Sequence, residues 1–437
     1  MGGLPITNNY AGKEYNDHNV YILGAGFSKD AGMPLVNEFM DRMRSATTWL
    51  QLQGDRGREL IAIRNVLAFR GRSKAAAEHI PLNLDNVEEL FSLASTVTGE
   101  PGSSLAEDVN LAISATLDFA RNVAPSPGEY EHLHLGVLRA RNWAVPPGWK
   151  RSPASIEHTM NSLQQREWYA CPPYQFYLGV MTRRFSEPSA ESLNTVITFN
   201  YDTVIEDALA ELAVPFSYGL SPNAVSFHPS ARCVHGSLTG HGMRLLKLHG
   251  SMNWGTFDHD STNMMVFGSY GDLRQQQGAQ QTTVLVPPTW HKGWDWRHPV
   301  SAVWDAAVDA IGTATRIIII GYSVPTTDLH FKYLLAAGLQ RNISLSRLFV
   351  VNPDLKEGKQ ELRNRLFGSS GLFRRERLEQ GIVEPIPAET KEFFETPFDA
   401  SSKPYRIRIG RSLNPLNLRW ENAPVVVFNG HNGFSAQ

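Results

Sequence analysis

The stretch NVYILGAGFSKDAGMP, Asn19 to Pro34, decides the fold. Asn19 to Gly24 is a short apolar run stopped by glycine, the pattern of a buried strand. From Ser28 to Leu52 the spacing is helical, with Val36, Phe39, Met40 and Met43 on one face. Strand, glycine turn and helix in succession make the βα unit that binds dinucleotides. Three further motifs follow in order, each at the end of an apolar run. They are TFNYD at Thr198 to Asp202, KLHGS at Lys247 to Ser251 and GYSVPTTD at Gly321 to Asp328.

Working outward, strands are predicted at Asn194–Phe199, Arg244–Leu248, Thr283–Val286, Arg316–Gly321 and Arg347–Val351. Helices are predicted at Thr203–Leu212, Ser301–Thr313 and Phe331–Leu339. This alternation predicts an α/β, Rossmann-like parallel sheet covered on both faces. Ligands bind such sheets beyond the strand carboxyl ends. Gly24–Ser28, Asn200–Asp202, His249–Ser251, Gly321–Ser323 and Asn352 are therefore expected around one crevice.

The intervening and trailing segments read differently. Residues 55–189 form a helical insertion, with helices at Glu59–Phe69, Asn86–Ser95, Leu105–Arg121 and Glu157–Gln165. Asp258 to Gln281 is polar, rich in Gly and Gln, and reads as an exposed hairpin or loop. Residues 356–437 form a C-terminal extension. It carries Arg363, Arg365, Arg374, Arg375 and Arg377, and a period-two run at Tyr405–Ile409. The predicted organisation is thus a discontinuous catalytic domain, 1–54 and 190–355, with the insertion and the extension as contact surfaces.

Composition narrows the function. The 437 residues carry 41 Lys and Arg against 43 Asp and Glu, a net charge of −2. No whole-chain footprint for nucleic acid or an anionic membrane is present. The two cysteines, Cys171 and Cys233, match no zinc signature and no secreted disulfide framework. A polar N-terminus without a secretory apolar core, and no run approaching the ~20 apolar residues of a membrane span, point to the cytoplasm.

Each motif has a chemical and a structural reading. Gly24-Ala25-Gly26 lets backbone approach a pyrophosphate, with donors from the following helix and from Ser28, or simply makes a tight βα turn. Lys29 stands where the third glycine of G-x-G-x-x-G would be. Asn200 can orient a carboxamide, a ribose hydroxyl or a water. Asp202 can accept from ribose, or cap the next helix, where Thr203-x-x-Glu206 fits a capping box. His249 can take a proton near neutral pH, or be a hydrogen-bonded structural histidine. Ser323 can reach a phosphate and Asp328 can bind or cap. Trp290, His291, Trp294, Trp296 and His298 lack an accompanying acidic or Cys set, and read as packing and a loop lid.

Together the motifs resemble the sirtuin family, and in particular its bacterial sirtuin-like branch of anti-phage defence proteins. The resemblance rests on Gly24-Ala25-Gly26-Phe27-Ser28 with Gly32-Met33-Pro34, on Asn200 and Asp202, on His249-Gly250, on Gly321 and Ser323, and on Asn352. It implies an NAD+ hydrolase releasing nicotinamide and ADP-ribose, with NAD+ as substrate and no metal. Asn200, His249 and Asp202 take catalytic roles. Gly24, Ala25, Gly26, Phe27, Ser28, Gly32, Pro34, Gly321, Ser323, Asp328 and Asn352 hold the dinucleotide. It further implies a homo-oligomer gated by a HerA-type ATPase, or alternatively a short Argonaute. Departures are Leu35-Val36-Asn37 after the Gly-x-Pro, where deacylases carry Asp-Phe-Arg, and the missing four-cysteine zinc module. A non-enzymatic NAD or ADP-ribose sensor and a protein deacylase or ADP-ribosyltransferase are the alternative readings.

Overall fold

The computed structural model describes residues 18–97, 104–123, 173–182, 194–221, 223–234, 238, 242–256, 264–276, 282–286, 299–324, 329–356, 358–395, 426–429 and 433–436. The helix expected at Glu157–Gln165, the aromatic cluster at 290–298, Asp328 and the run at 405–409 lie outside them.

The strands in chain order are β1 (Asn19–Leu23), β2 (Asn194–Thr198), β3 (Phe216–Ser217), β4 (Val225–Phe227), β5 (Met243–Lys247), β6 (Gly250–Thr256), β7 (Met264–Val266), β8 (Thr282–Leu285), β9 (Arg316–Ile320), β10 (Arg347–Val351), β11 (Val383–Ile386), β12 (Val426–Asn429) and β13 (Gly433–Ala436). The helices are α1 (Phe39–Gln51), α2 (Gly57–Arg72), α3 (Lys74–Ala77), α4 (Val87–Val97), α5 (Ser104–Val123), α6 (Pro173–Met181), α7 (Val204–Glu211), α8 (Tyr270–Gln275), α9 (Pro299–Thr313), α10 (Leu329–Leu339), α11 (Gln360–Phe367), α12 (Arg375–Glu379) and α13 (Thr390–Glu395).

Seven strands form one parallel sheet in the order β11-β10-β9-β1-β2-β5-β3. Every residue of β1, β2 and β9 is buried. Helices cover both faces, which is why these strands read as continuous apolar runs rather than alternating ones. In register, Leu23 lies between Thr198 and Ile320. The chain moves from β1 to β2 on one side and returns through β9 to β10 on the other. The topological switch point therefore lies between β1 and β9.

The sheet continues past Asn352 into β11, and Leu362, Leu366, Phe367, Val383, Ile386 and Phe394 join the main core. The boundary drawn at residue 355 thus falls inside this domain. β11 is an edge strand with Pro385 in it, and β3 at the other edge is only two residues long.

A second core differs from expectation. Helix α1 begins at Phe39, not at Ser28. Gly32 in the left-handed region (φ 81°) followed two residues later by Pro34 breaks any helix there, and Ala25–Phe27 and Lys29–Ala31 form two short 3-10 turns instead. Phe39, Met40 and Met43 then pack with α2, α4 and α5, not on the parallel sheet. Residues 258–281 are not simply an exposed loop. They contain β7 and α8, and Met264 and Val266 of the strand, Phe267 just after it, and Tyr270 and Leu273 of the helix are buried. A four-stranded sheet, β4-β7-β6-β8, forms here, so β8 belongs to it rather than to the parallel sheet.

At the amino-terminal edge of the main sheet lies a buried polar knot. Asn19 Nδ2 donates to Asn194 Oδ1 (3.2 Å), and Arg316 donates to Asn19 Oδ1 (3.3 Å). The His18 ring bonds Thr313 Oγ1 and Thr195 Oγ1, each at 2.9 Å. Burial, helped by the Arg244 charge, pushes the His18 pKa down from 6.5 to about 4.

Candidate functional site

The carboxyl edge is built on two turns pressed back to back. Gly24 N donates to Ile320 O (3.0 Å) and Gly26 N to Gly321 O (2.9 Å). Gly321 adopts φ 64°, and a Cβ there would lie 2.4 Å from Phe27 N. A Cβ on Gly26 would meet Gly321 Cα at 2.9 Å. These glycines are therefore required for the turn after β1 to seat on the turn after β9, at the switch point. Phe27 N and Ser28 N close onto Gly24 O and Ala25 O, so most amides of the turn bond within the protein. The helix N-terminus expected beside the turn is absent from it, since α1 starts eleven residues beyond Ser28.

Asn200 joins the next strand to this turn. Its Nδ2 donates to Gly24 O and to Ser28 Oγ, each at 3.0 Å. Ser28 is fully buried. Both bonds use the amide nitrogen, and the carboxamide oxygen takes part in neither. Thr198 Oγ1, bonded to Leu23 O (2.9 Å), accepts from Asn200 N (3.1 Å) and fixes the loop's start.

Asp202 Oδ1 accepts from Val204 N (3.1 Å), an Asx-type turn one residue ahead of the helix cap at Thr203. The capping box does not form: Thr203 makes no side-chain cap bond and instead accepts from Arg121 of α5. Glu206 turns inward to pair with Lys247 Nζ at 2.8 Å. Lys247 and Glu206 are both almost wholly buried, and Lys247 also donates to the Asp202 carbonyl. Tyr218 Oη donates to Glu206 Oε1 (3.1 Å). Burial pushes the Glu206 carboxyl up, against the opposing pull of the Lys247 ammonium. The same burial drives the nearby Cys233 thiol up to about 12, leaving it unreactive. This knot under the Asn200–Asp202 loop was not singled out from sequence. The signals present in the sequence were Lys247 in a strand that is otherwise apolar after Arg244, and Glu206, which reads instead as a capping-box residue.

His249 occupies the turn between β5 of the parallel sheet and β6 of the second sheet. Gly250 makes the join possible: its φ is 78°, and a Cβ would lie 2.1 Å from Val284 O. The turn is held by Trp304 Nε1 donating to Leu248 O and by Val286 N donating to His249 O, each at 2.9 Å. The His249 ring is buried, with the Phe199 ring at 5.1 Å and the Tyr201 ring at 6.0 Å. Tyr201 Oη donates to Val286 O (2.7 Å). Asn200 thus lies between two residues whose rings pack on His249.

Tyr322, after Gly321, stacks on Phe199 at 5.1 Å. Asn352 Nδ2 donates to Tyr322 O (3.3 Å), and its Oδ1 accepts from Asp354 N (2.9 Å). Asn352 is accordingly a cap and a brace for the Gly321 loop. Ser323 is exposed beyond it, and Gly32 and Pro34 shape the segment that leads to α1. One carboxyl edge therefore gathers the glycine turn, Asn200, Asp202, His249, Gly321 and Asn352. Among the described residues no group of three or more His, Cys, Asp and Glu could hold a metal ion, and no helix is long and apolar enough to cross a membrane.

Residues 194–372 match the family described as SIR2-like domain. The match begins at β2 and extends beyond β10. No curated protein matches the chain. Similar solved structures include a mutant Sir2 homologue in complex with 2'-O-acetyl ADP ribose, 13% identical over 93% of this chain and 96% of that one, TM-score 0.38. A Sir2 homolog–NAD complex is 13% identical over 86% of each chain, TM-score 0.32. Sir2Tm bound to a propionylated peptide is 10% identical over 91% of this chain and 94% of that one, TM-score 0.32.

Proposed function

We propose that this protein hydrolyses the nicotinamide N-glycosidic bond of NAD+, giving nicotinamide, ADP-ribose and a proton. The observation that carries the reading is the pair of hydrogen bonds from Asn200 Nδ2 to the glycine turn. It brings an Asn carboxamide onto a dinucleotide-type turn, with His249 packed against the residues on either side of it. The SIR2-like domain over 194–372 supports an NAD-related activity.

In this reading the turns at Gly24–Ser28 and Gly321–Ser323 hold the diphosphate, and Asn352 keeps the second turn in place. The free carboxamide oxygen of Asn200 orients the nicotinamide ribose and the attacking water. His249 takes a proton from that water or from a ribose hydroxyl. The C–N bond breaks with its electrons going to the ring nitrogen, and the water oxygen bonds to the sugar carbon. Fixed dipoles around the cationic sugar lower the barrier more than tight binding of NAD+ does. Asp202 holds its loop through Val204 N and, by its carbonyl, through Lys247.

Such an activity kills its host unless gated, which fits an anti-phage effector switched on by assembly. A homo-oligomer, with a HerA-type ATPase or alternatively a short Argonaute, is the assembly proposed. The test is NAD+ consumption by the purified chain, alone and with its genomic neighbour's product, with products resolved by chromatography. Nicotinamide and ADP-ribose without a protein acceptor support the hydrolase. Consumption that requires an acceptor points to a deacylase or ADP-ribosyltransferase, and binding without turnover in both conditions points to a sensor.

A further inference from the structure

Three parts of the chain that lie far apart in sequence meet at the backbone of the glycine turn. From α6, at the end of the insertion, Tyr174 Oη donates to Phe27 O (2.7 Å) and accepts from Ala31 N (3.1 Å). One hydroxyl thus spans the two 3-10 turns, Ala25–Phe27 and Lys29–Ala31, that stand where a helix was expected. The Phe27 side chain is fully buried, with Tyr174 at 5.5 Å and Tyr177 at 6.2 Å between ring centres. Tyr177 stacks on Phe394 of α13 at 4.7 Å, and Thr390 at the start of that helix donates to Gly26 O (3.4 Å).

We infer that Tyr174 is a positioning residue that sets the shape of the Phe27–Ala31 segment for dinucleotide binding. The inference rests on the reading of this turn as the NAD+ diphosphate site. Ala31 N also donates to Ser28 O (3.1 Å), so the hydroxyl shares that amide and links it to Phe27 O across turns too short to have much cooperativity of their own. The hydroxyl ties both groups to one point, with the ring locked in the aromatic cluster. The glycine turn then presents one conformation to its ligand, and that preorganisation appears as affinity rather than as new contact. The insertion acts on the site through this hydroxyl.

Tyr174→Phe keeps the ring and removes only the hydroxyl. The measurements are the ADP-ribose Kd by calorimetry, the KM and kcat for NAD+, and the urea unfolding midpoint. Tyr333→Phe, at an exposed site on α10, is the control. The expected result is an ADP-ribose Kd and an NAD+ KM raised roughly 5-fold or more, from the loss of two hydrogen bonds of ordinary strength, with kcat unchanged. A merely structural tyrosine lowers the unfolding midpoint and leaves Kd alone, which overturns the inference. If Tyr174→Phe does not fold, Thr390→Val decides: a weakened ADP-ribose affinity supports clamping of the turn, and an unchanged one overturns it. Wild-type protein that binds neither NAD+ nor ADP-ribose fails the functional reading itself and takes the inference with it. Wild-type binding equal to that of Tyr174→Phe fails the inference alone.

Discussion

The two edges of the parallel sheet both bury polar side chains, yet to different ends. At the amino edge, His18, Asn19, Asn194, Thr195 and Arg316 bond one another and close the sheet. At the carboxyl edge, Asn200, Lys247 and Asn352 bond backbone carbonyls of turns. The first set holds strands together. The second holds loops in shape beyond the strand carboxyl ends. Buried polarity alone does not mark a site; what matters is whether the polar groups fasten backbone turns beyond the strand carboxyl ends.

The largest expected difference between the edges is in catalysis. His249→Ala and Asn200→Ala should each lower NAD+ turnover by about 100- to 10,000-fold, measured as nicotinamide release. Asn19→Ala at the opposite edge should leave kcat within a few-fold wherever the protein folds. Equal losses at the two edges would erase the contrast.

Next in size is the Lys247–Glu206 pair. Lys247→Met strands a buried carboxylate and should cost about 3–5 kcal/mol in urea unfolding. The double variant Lys247→Met/Glu206→Leu should recover most of that loss. A double variant as unstable as the single one would mean that the Asp202 carbonyl, not Glu206, is the partner that matters.

The amino edge has its own signature in pH. Unfolded chain protonates His18 near 6.5, while the native ring resists until about pH 4. Stability is therefore complete above about pH 6.5 and falls by up to about 3 kcal/mol as pH drops through that window. His18→Gln should flatten this part of the unfolding profile. A slope unchanged in the variant would assign it to another group.

The smallest effect sharpens the comparison at the turns. Gly26→Ala forces a Cβ against the Gly321 backbone and should cost about 1–3 kcal/mol by overpacking. It should also weaken ADP-ribose binding, since the two turns must part. Gly54→Ala, where a Cβ meets nothing within 4 Å, is the neutral reference.

Much of the main sheet was legible because its strands are short apolar runs stopped by glycine, asparagine or histidine. β1, β2, β5, β9 and β10 lie within a residue or two of the expected bounds. Sheet membership was not legible for β8, whose four residues look like any buried strand; only its pairing with β6 decides. Residues 258–281 hid a three-residue strand and a six-residue helix, both too short to show a period. Helix α1 was placed too early because Val36 extended the apolar face, although Gly32 and Pro34 were in plain view. In the site, the glycine turns, Asn200, Asp202, His249 and Asn352 were found by their places at strand ends. The Lys247–Glu206 pairing and the role of Tyr174 were not legible, because the partners lie 41 to 147 residues apart and the local pattern around Glu206 points instead to a capping box.

The ends of the seven-stranded sheet are poor templates for a strand from another molecule. Pro385 lacks an amide hydrogen, so the free side of β11 offers an interrupted row of donors. At the opposite margin, β3 is too short to template another strand. Neither margin favours the growth of a continuous sheet across molecules. In the homo-oligomer proposed above, contact between copies would fall to helix faces and loops, which can part and rejoin without unzipping a backbone ladder.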